Sequence, residues 1–100
     1  MKRRIVEFTT RAWYEFLELE FTITNVYQAP LTAAKYMSEL LNRIRTLRYG
    51  AEMYAVIPEL SVEYGLDVRR INYKQIAIIY TLEEDMVYIQ RVMPAGMVIY

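Results

Sequence analysis

The order of apolar and polar positions divides the chain into a helical first half and a strand-rich last third. Arg4-Ile5-Val6-Glu7-Phe8 is short, β-branched and bounded by Thr9-Thr10, which predicts a first strand. Thr9 or Thr10 then offers a side-chain oxygen to cap a helix start. From Arg11, apolar residues fall at Ala12, Phe16, Leu19 and Ile23, with Trp13 and Leu17 alongside, so the spacing predicts a helix with one broad apolar face. Glu15, Glu18 and Glu20 lie largely off that face. β-Branched residues and Asn in Thr22-Ile23-Thr24-Asn25-Val26 weaken the helix, which should end between Ile23 and Gln28.

Pro30 fits the first turn of a second helix, where its missing N–H costs nothing. Ala34, Met37, Leu41 and Ile44 form one stripe, with Ala33, Leu40 and Leu47 beside it. Arg43, Arg45 and Arg48 suit the C-terminal end of the helix dipole, and Gly50 is a stop signal. The result is a helical hairpin. Ala51 to Gly65 has no clear period and is interrupted by Pro58, which predicts a surface-crossing connection with room for a short strand or turn.

Three strand-like runs follow: Asp67 to Lys74, Gln75 to Tyr80, and Met86 to Met93. Glu83-Glu84-Asp85 predicts a hairpin loop of about four or five residues. Short turns make these strands antiparallel, and the helical hairpin should cover one face of their sheet, leaving the other available. The expectation is an α+β fold of order β-α-α-β-β-β, forming a single domain over residues 1–100.

Composition narrows the chemistry. The chain of 100 residues has no cysteine and no histidine, which removes disulfides, thiolate nucleophiles, common zinc sites and imidazole bases. General acid–base work would fall to Glu, Asp, Lys or Tyr. The hydrophobic fraction of 55% includes ten tyrosines and signals no unusual apolar excess. No apolar run approaches the ~20 residues that span a bilayer, and Met1-Lys2-Arg3-Arg4 leads into an alternating segment, so a cytoplasmic protein without membrane contact is expected. Net charge is zero, with basic residues in excess in the first half and acidic residues in the second. Only local clusters (Lys2, Arg3 and Arg4; Arg43, Arg45 and Arg48; Arg69, Arg70 and Lys74) resemble a nucleic-acid footprint.

Arg91 stands alone among Val87, Ile89, Val92 and Met93, and regular alternation would put it on one face with Val87, Ile89 and Met93. A cation there either pairs with a carboxylate or lines an anion site. Arg70 and Lys74, from the neighbouring strand region, are candidates to converge with Arg91 on a phosphate, where guanidinium groups stabilise developing charge. Arg69 should point away from Arg70. Tyr100 is a candidate for base stacking or proton transfer, or an apolar anchor. With no glycine-rich phosphate loop, carboxylate–metal cluster or serine triad in view, neither cofactor nor metal is expected.

Taken in order, Ile5 to Thr9 with Ala12, Pro30 to Leu47, and Val68 to Val92 resemble the RelE/ParE toxin superfamily of type II toxin–antitoxin modules, including its plasmid stabilisation proteins. Val68-Arg69-Arg70-Ile71, Ile76 to Tyr80, and Val87-Tyr88-Ile89-Gln90-Arg91-Val92 are similar to that family's closing strands. The resemblance implies a growth-inhibiting toxin with a cognate antitoxin partner and either ribosome-bound mRNA or DNA gyrase as target. In the ribonuclease branch, Arg91, Arg70, Lys74 and Tyr100 would form the catalytic set, the arginines stabilising charge and the Lys or Tyr moving a proton. Relatives often follow the last strand with histidine, glycine and basic residues, whereas this chain has Met93-Pro94-Ala95-Gly96. That difference and the neutral charge favour a gyrase-directed toxin without catalysis, or a divergent member without toxicity. The remaining alternative is a small α+β protein-binding or self-associating domain, with a homodimer among its expected states.

Overall fold

A computed structural model describes residues 2–98. Strand β1 (Ile5–Phe8) leads into helix α1 (Thr10–Phe21), which continues as a π-helical turn, Thr22–Val26. Helix α2 (Pro30–Arg45) follows, then two short 3₁₀ turns, helix α3 (Pro58–Tyr64), and strands β2 (Val68–Tyr73), β3 (Ile76–Glu83) and β4 (Met86–Pro94). The sheet order is β1-β4-β3-β2. The three late strands are antiparallel, as expected, and β1 joins them in parallel beside β4.

Local chemistry explains most of these boundaries. Thr9 is the N-cap of α1, its hydroxyl oxygen accepting the Ala12 N–H at 3.2 Å and its O–H donating to the Ile89 carbonyl at 3.1 Å. The same residue therefore ties the helix start to β4. Pro30 opens α2 at its first turn. The buried stripe of α2 is Ala33, Met37, Leu40 and Ile44; Ala34 is exposed and Leu41 half-buried, so the stripe is shifted by about half a residue towards the flanking Ala33 and Leu40.

Two expectations are corrected. The Ala51 to Gly65 connection contains α3: Pro58 starts that helix rather than breaking a strand, and Gly65 ends it in the left-handed region at φ 74°. Ser61 fastens α3 to β2, its hydroxyl donating to the Ile57 carbonyl at 2.8 Å and accepting the Val68 N–H at 2.9 Å. The β3–β4 loop is only Glu84-Asp85, with Glu84 at φ 52°, not four or five residues. β1 also holds the loop from outside: Ile5 N–H donates to the Asp85 carbonyl at 2.8 Å, and Lys2 pairs with the Asp85 carboxylate at 2.7 Å.

The main core lies between the sheet and α1 and α2. Ile71, Ile78, Tyr80, Val87, Ile89 and Val92 pack there against Phe16, Met37, Leu40 and Ile44. The opposite face is partly covered too, where Val68, Ala77 and Ile79 pack with Leu60 and Tyr64 of α3 and with Met93, Ala95 and Val98. That face is less available than a two-helix reading of the sequence implies. No described helix is long and apolar enough to cross a membrane.

Candidate functional site

Strand β4 carries a bulge that decides where Arg91 goes. Ile79 pairs with Arg91, but Tyr80 pairs with Ile89, so Gln90 is the extra residue. Alternation breaks at that point. Val87, Ile89 and Val92 face the main core, whereas Arg91 stands opposite Ile79 beside Met93. The expectation that Arg91 shares a face with Val87 and Ile89 is therefore wrong, while its sharing with Met93 holds.

β1 ends at Phe8, opposite Ile89, so β4 has no strand neighbour on that side beyond the bulge. Glu15 of α1 fills this position. Arg91 Nε donates to both Glu15 oxygens at 3.0 and 2.9 Å, Arg91 Nη2 donates to Oε2 at 2.7 Å, and the Val92 backbone N–H donates to Oε1 at 3.0 Å. One carboxylate thus satisfies both the arginine fork and an edge N–H. The fork holds Arg91 more firmly protonated than an ordinary arginine, chiefly through its hydrogen bonds from the guanidinium to Glu15. A cleft of about 300 Å³ lies alongside, bounded by Glu15, Glu18, Leu19, Ile76 and Met97.

Glu15 is the residue that sequence reasoning missed. It was placed largely off the apolar face of α1, yet it directly precedes inward-facing Phe16 and sits one turn after Ala12. A carboxylate bordering a buried helix face, in a chain with a lone arginine in a strand, was the available signal.

Arg70 and Lys74 have partners of their own. Arg70 also stands opposite Ile79, and so flanks it on the same face, but its Nε donates to Asn72 Oδ1 at 3.0 Å and it lines a separate cleft with Arg43, Tyr54 and Ile57. Arg69 points the other way, as expected, donating from Nε to the Tyr54 carbonyl at 2.9 Å. Lys74 occupies the β2–β3 turn at φ 51°, with its Nζ 5.5 Å from the Tyr36 ring centre and 5.4 Å from that of Tyr73. Lys74 is thus engaged by aromatic rings of α2 and β2, whereas Arg91 is engaged by α1. Tyr100 lies outside the described residues. Several other cations are engaged locally: Arg4 with Glu52, Lys2 with Asp85, and Arg43 with the Asn72 carbonyl at 3.1 Å. Among the described residues no cluster of three or more acidic side chains could hold a metal ion.

Of the tyrosines whose pKa is raised, Tyr36, Tyr73 and Tyr80, the last two are raised most. Burial raises the pKa of Tyr80, whose hydroxyl donates to the Ala51 carbonyl at 2.6 Å. The Tyr73 hydroxyl donates to the Glu39 carboxylate, and that hydrogen bond pushes its pKa up to about 12. In the unfolded chain both ionise near the ordinary value of about 10. Their folded values are raised, so their contribution to stability is complete below pH ~10 and is lost as pH climbs through the folded values. Denaturant unfolding at increasing alkaline pH should therefore show falling stability, and Tyr80→Phe should flatten that fall.

No sequence-family profile matches the chain, and no characterised protein matches it by sequence. In structure it is similar to a chain of the chromosomal ParDE TA system from P. aeruginosa, with a TM-score of 0.72 over 92% of this chain and 96% of the other. Sequence identity between the two is 14%. The fold is thus RelE/ParE-like, an N-terminal helical hairpin on a four-stranded α+β sheet, as the sequence implied.

Proposed function

We propose that this chain is the toxin component of a type II toxin–antitoxin module, that it acts by binding its target rather than by cleaving RNA, and that a cognate antitoxin neutralises it. The module assignment is supported by a ParDE-like fold over nearly the whole chain. The single observation behind the non-catalytic reading is the Glu15 carboxylate seated on Arg91 and the Val92 N–H. An arginine meant to stabilise a phosphodiester transition state must present its fork to the reacting phosphate. Here the fork is filled by the protein's own carboxylate, and Lys74 lies over the Tyr36 and Tyr73 rings. DNA gyrase is accordingly the favoured target over ribosome-bound mRNA.

Purified protein incubated with gyrase and DNA, and separately with translating ribosomes, tests this. Accumulation of gyrase–DNA cleavage complexes with intact mRNA is the expected outcome. Cleavage of ribosome-bound mRNA would refute the binding mechanism. Growth unaffected by expression without a partner would count against toxin function altogether.

A further inference from the structure

Two of the three basic clusters in the sequence, around Arg43 and around Arg70, meet across a cleft that the site at Arg91 does not use. The cleft, about 590 Å³, runs between the C-terminal end of α2 and the outer edge of β2. Arg43 reaches it from α2 and Arg70 from β2, and both are half-buried. One residue draws them together: Arg43 Nε donates to the Asn72 carbonyl at 3.1 Å, and Arg70 Nε to the Asn72 side-chain oxygen at 3.0 Å. Tyr54 forms a wall, its ring centre 5.9 Å from the Arg43 guanidinium carbon and its hydroxyl accepting from Arg43 Nη1 at 3.5 Å. The partners of Arg43 are thus neutral. Among the described residues its Nη2 has no acceptor, and no carboxylate lines the cleft. Lys2, Arg4 and Arg91, by contrast, each hold a carboxylate.

We propose that this cleft binds a phosphate ester with an aromatic body, of which a nucleotide is the type. The choice of phosphate over carboxylate rests on geometry. A planar carboxylate fits one guanidinium fork, as Glu15 fits Arg91, whereas a phosphate presents its oxygens as a tetrahedron and is met from both walls of a cleft at once. The Asn72 amide nitrogen, which donates to no other described residue, adds a donor between the two arginines. The choice of an aromatic body rests on what else lines the space. A bare phosphate would fill only part of it, and the remainder is the apolar surface of Ala55, Ile57 and Ile71 beside the Tyr54 ring. A base stacks on such a surface whatever its sequence identity, while the arginines fix the phosphate.

Binding at this cleft is a property of the chain alone and does not depend on toxin activity. Titration of the full chain with adenosine monophosphate in phosphate-free buffer, followed by NMR, should shift the Arg43 Nε–H and Asn72 amide signals to saturation. Inorganic phosphate should bind the same place several-fold more weakly, and adenosine more weakly still. Arg43→Gln should weaken nucleotide binding roughly tenfold or more, the loss expected for hydrogen bonds to a charged group. Arg45→Gln, at an exposed arginine in the same last turn of α2, should leave it unchanged. If Arg43→Gln lowers stability, Arg43→Lys gives the comparison, since it keeps the charge and loses the fork. Absence of saturable shifts at Arg43 and Asn72 overturns the proposal. So does adenosine or inorganic phosphate binding as tightly as the nucleotide, or an equal loss in the Arg43 and Arg45 variants, which is the mark of general charge attraction.

Discussion

Replacing Glu15 with alanine should destabilise the fold by about 2–3 kcal/mol, more than expected for a surface ion pair. Two groups lose their partner at once. Arg91 keeps its charge in a position where its side chain is only 23% exposed, and the Val92 N–H loses its acceptor at a sheet edge that β1 does not reach. Breaking a fully buried pair costs about 3–5 kcal/mol, and the residual exposure of these side chains moves the expectation to the lower value. An exposed pair would cost under ~1 kcal/mol. Denaturant unfolding of Glu15→Ala measures the loss. Glu15→Gln should recover only part of it, since the amide keeps one oxygen for the Val92 N–H and loses the bidentate charge.

Tyr80 is the second sensitive position. It is fully buried in the main core, at the centre of β3, and its hydroxyl reaches the Ala51 carbonyl at the start of the second 3₁₀ turn after α2. Tyr80→Ala should cost about 3–5 kcal/mol through the cavity it leaves, a large share of the stability of a domain this size. Tyr80→Phe keeps the packing and removes only the hydrogen bond, so about 1–2 kcal/mol is expected, with the Ala51 carbonyl left dry. A ratio near one between the two variants would mean that the ring is not packed as described. Thermal or denaturant unfolding of both variants gives the comparison directly.

What could be read from the sequence was whatever depends on neighbours along the chain. Thr9 as a cap, Pro30 as a helix opener and the β-branched late runs each act within a few residues, and each element appears where its local chemistry puts it. α3 was missed because Pro58 was read as an interruption; the same residue is compatible with the first turn of a helix, and only the Ser61 link to Val68 reveals which applies. In α2, stripes through Ala34 and Leu41 or through Ala33 and Leu40 both satisfy helical spacing, so the sheet beneath decides the rotation.

The candidate site was half legible. Arg91 stood out as a lone cation in an apolar strand, and a carboxylate partner was one of its two foreseen fates. Which carboxylate was hidden, because Glu15 lies 76 residues away in sequence. The bulge at Gln90 was hidden as well, having no glycine to announce it, and it reverses the face on which Arg91 stands. The partners of Arg70 and Lys74 were equally hidden. Strand parity places backbones, whereas side chains also follow their partners: Arg70 donates to Asn72, and Lys74 lies over two tyrosine rings.

The central claim is that Arg91 serves the fold and not an RNA-cleaving step, and exchanging the pair for apolar residues tests it. Paired charges of this kind can often be replaced by apolar residues of similar size with little loss of stability. Glu15→Met combined with Arg91→Met should therefore cost only about 1–2 kcal/mol, for the Val92 N–H left without its acceptor, and, expressed without a partner, should arrest growth as the parent does. A double variant that folds and yet has lost growth arrest would contradict the account, because the guanidinium itself would then be required for activity.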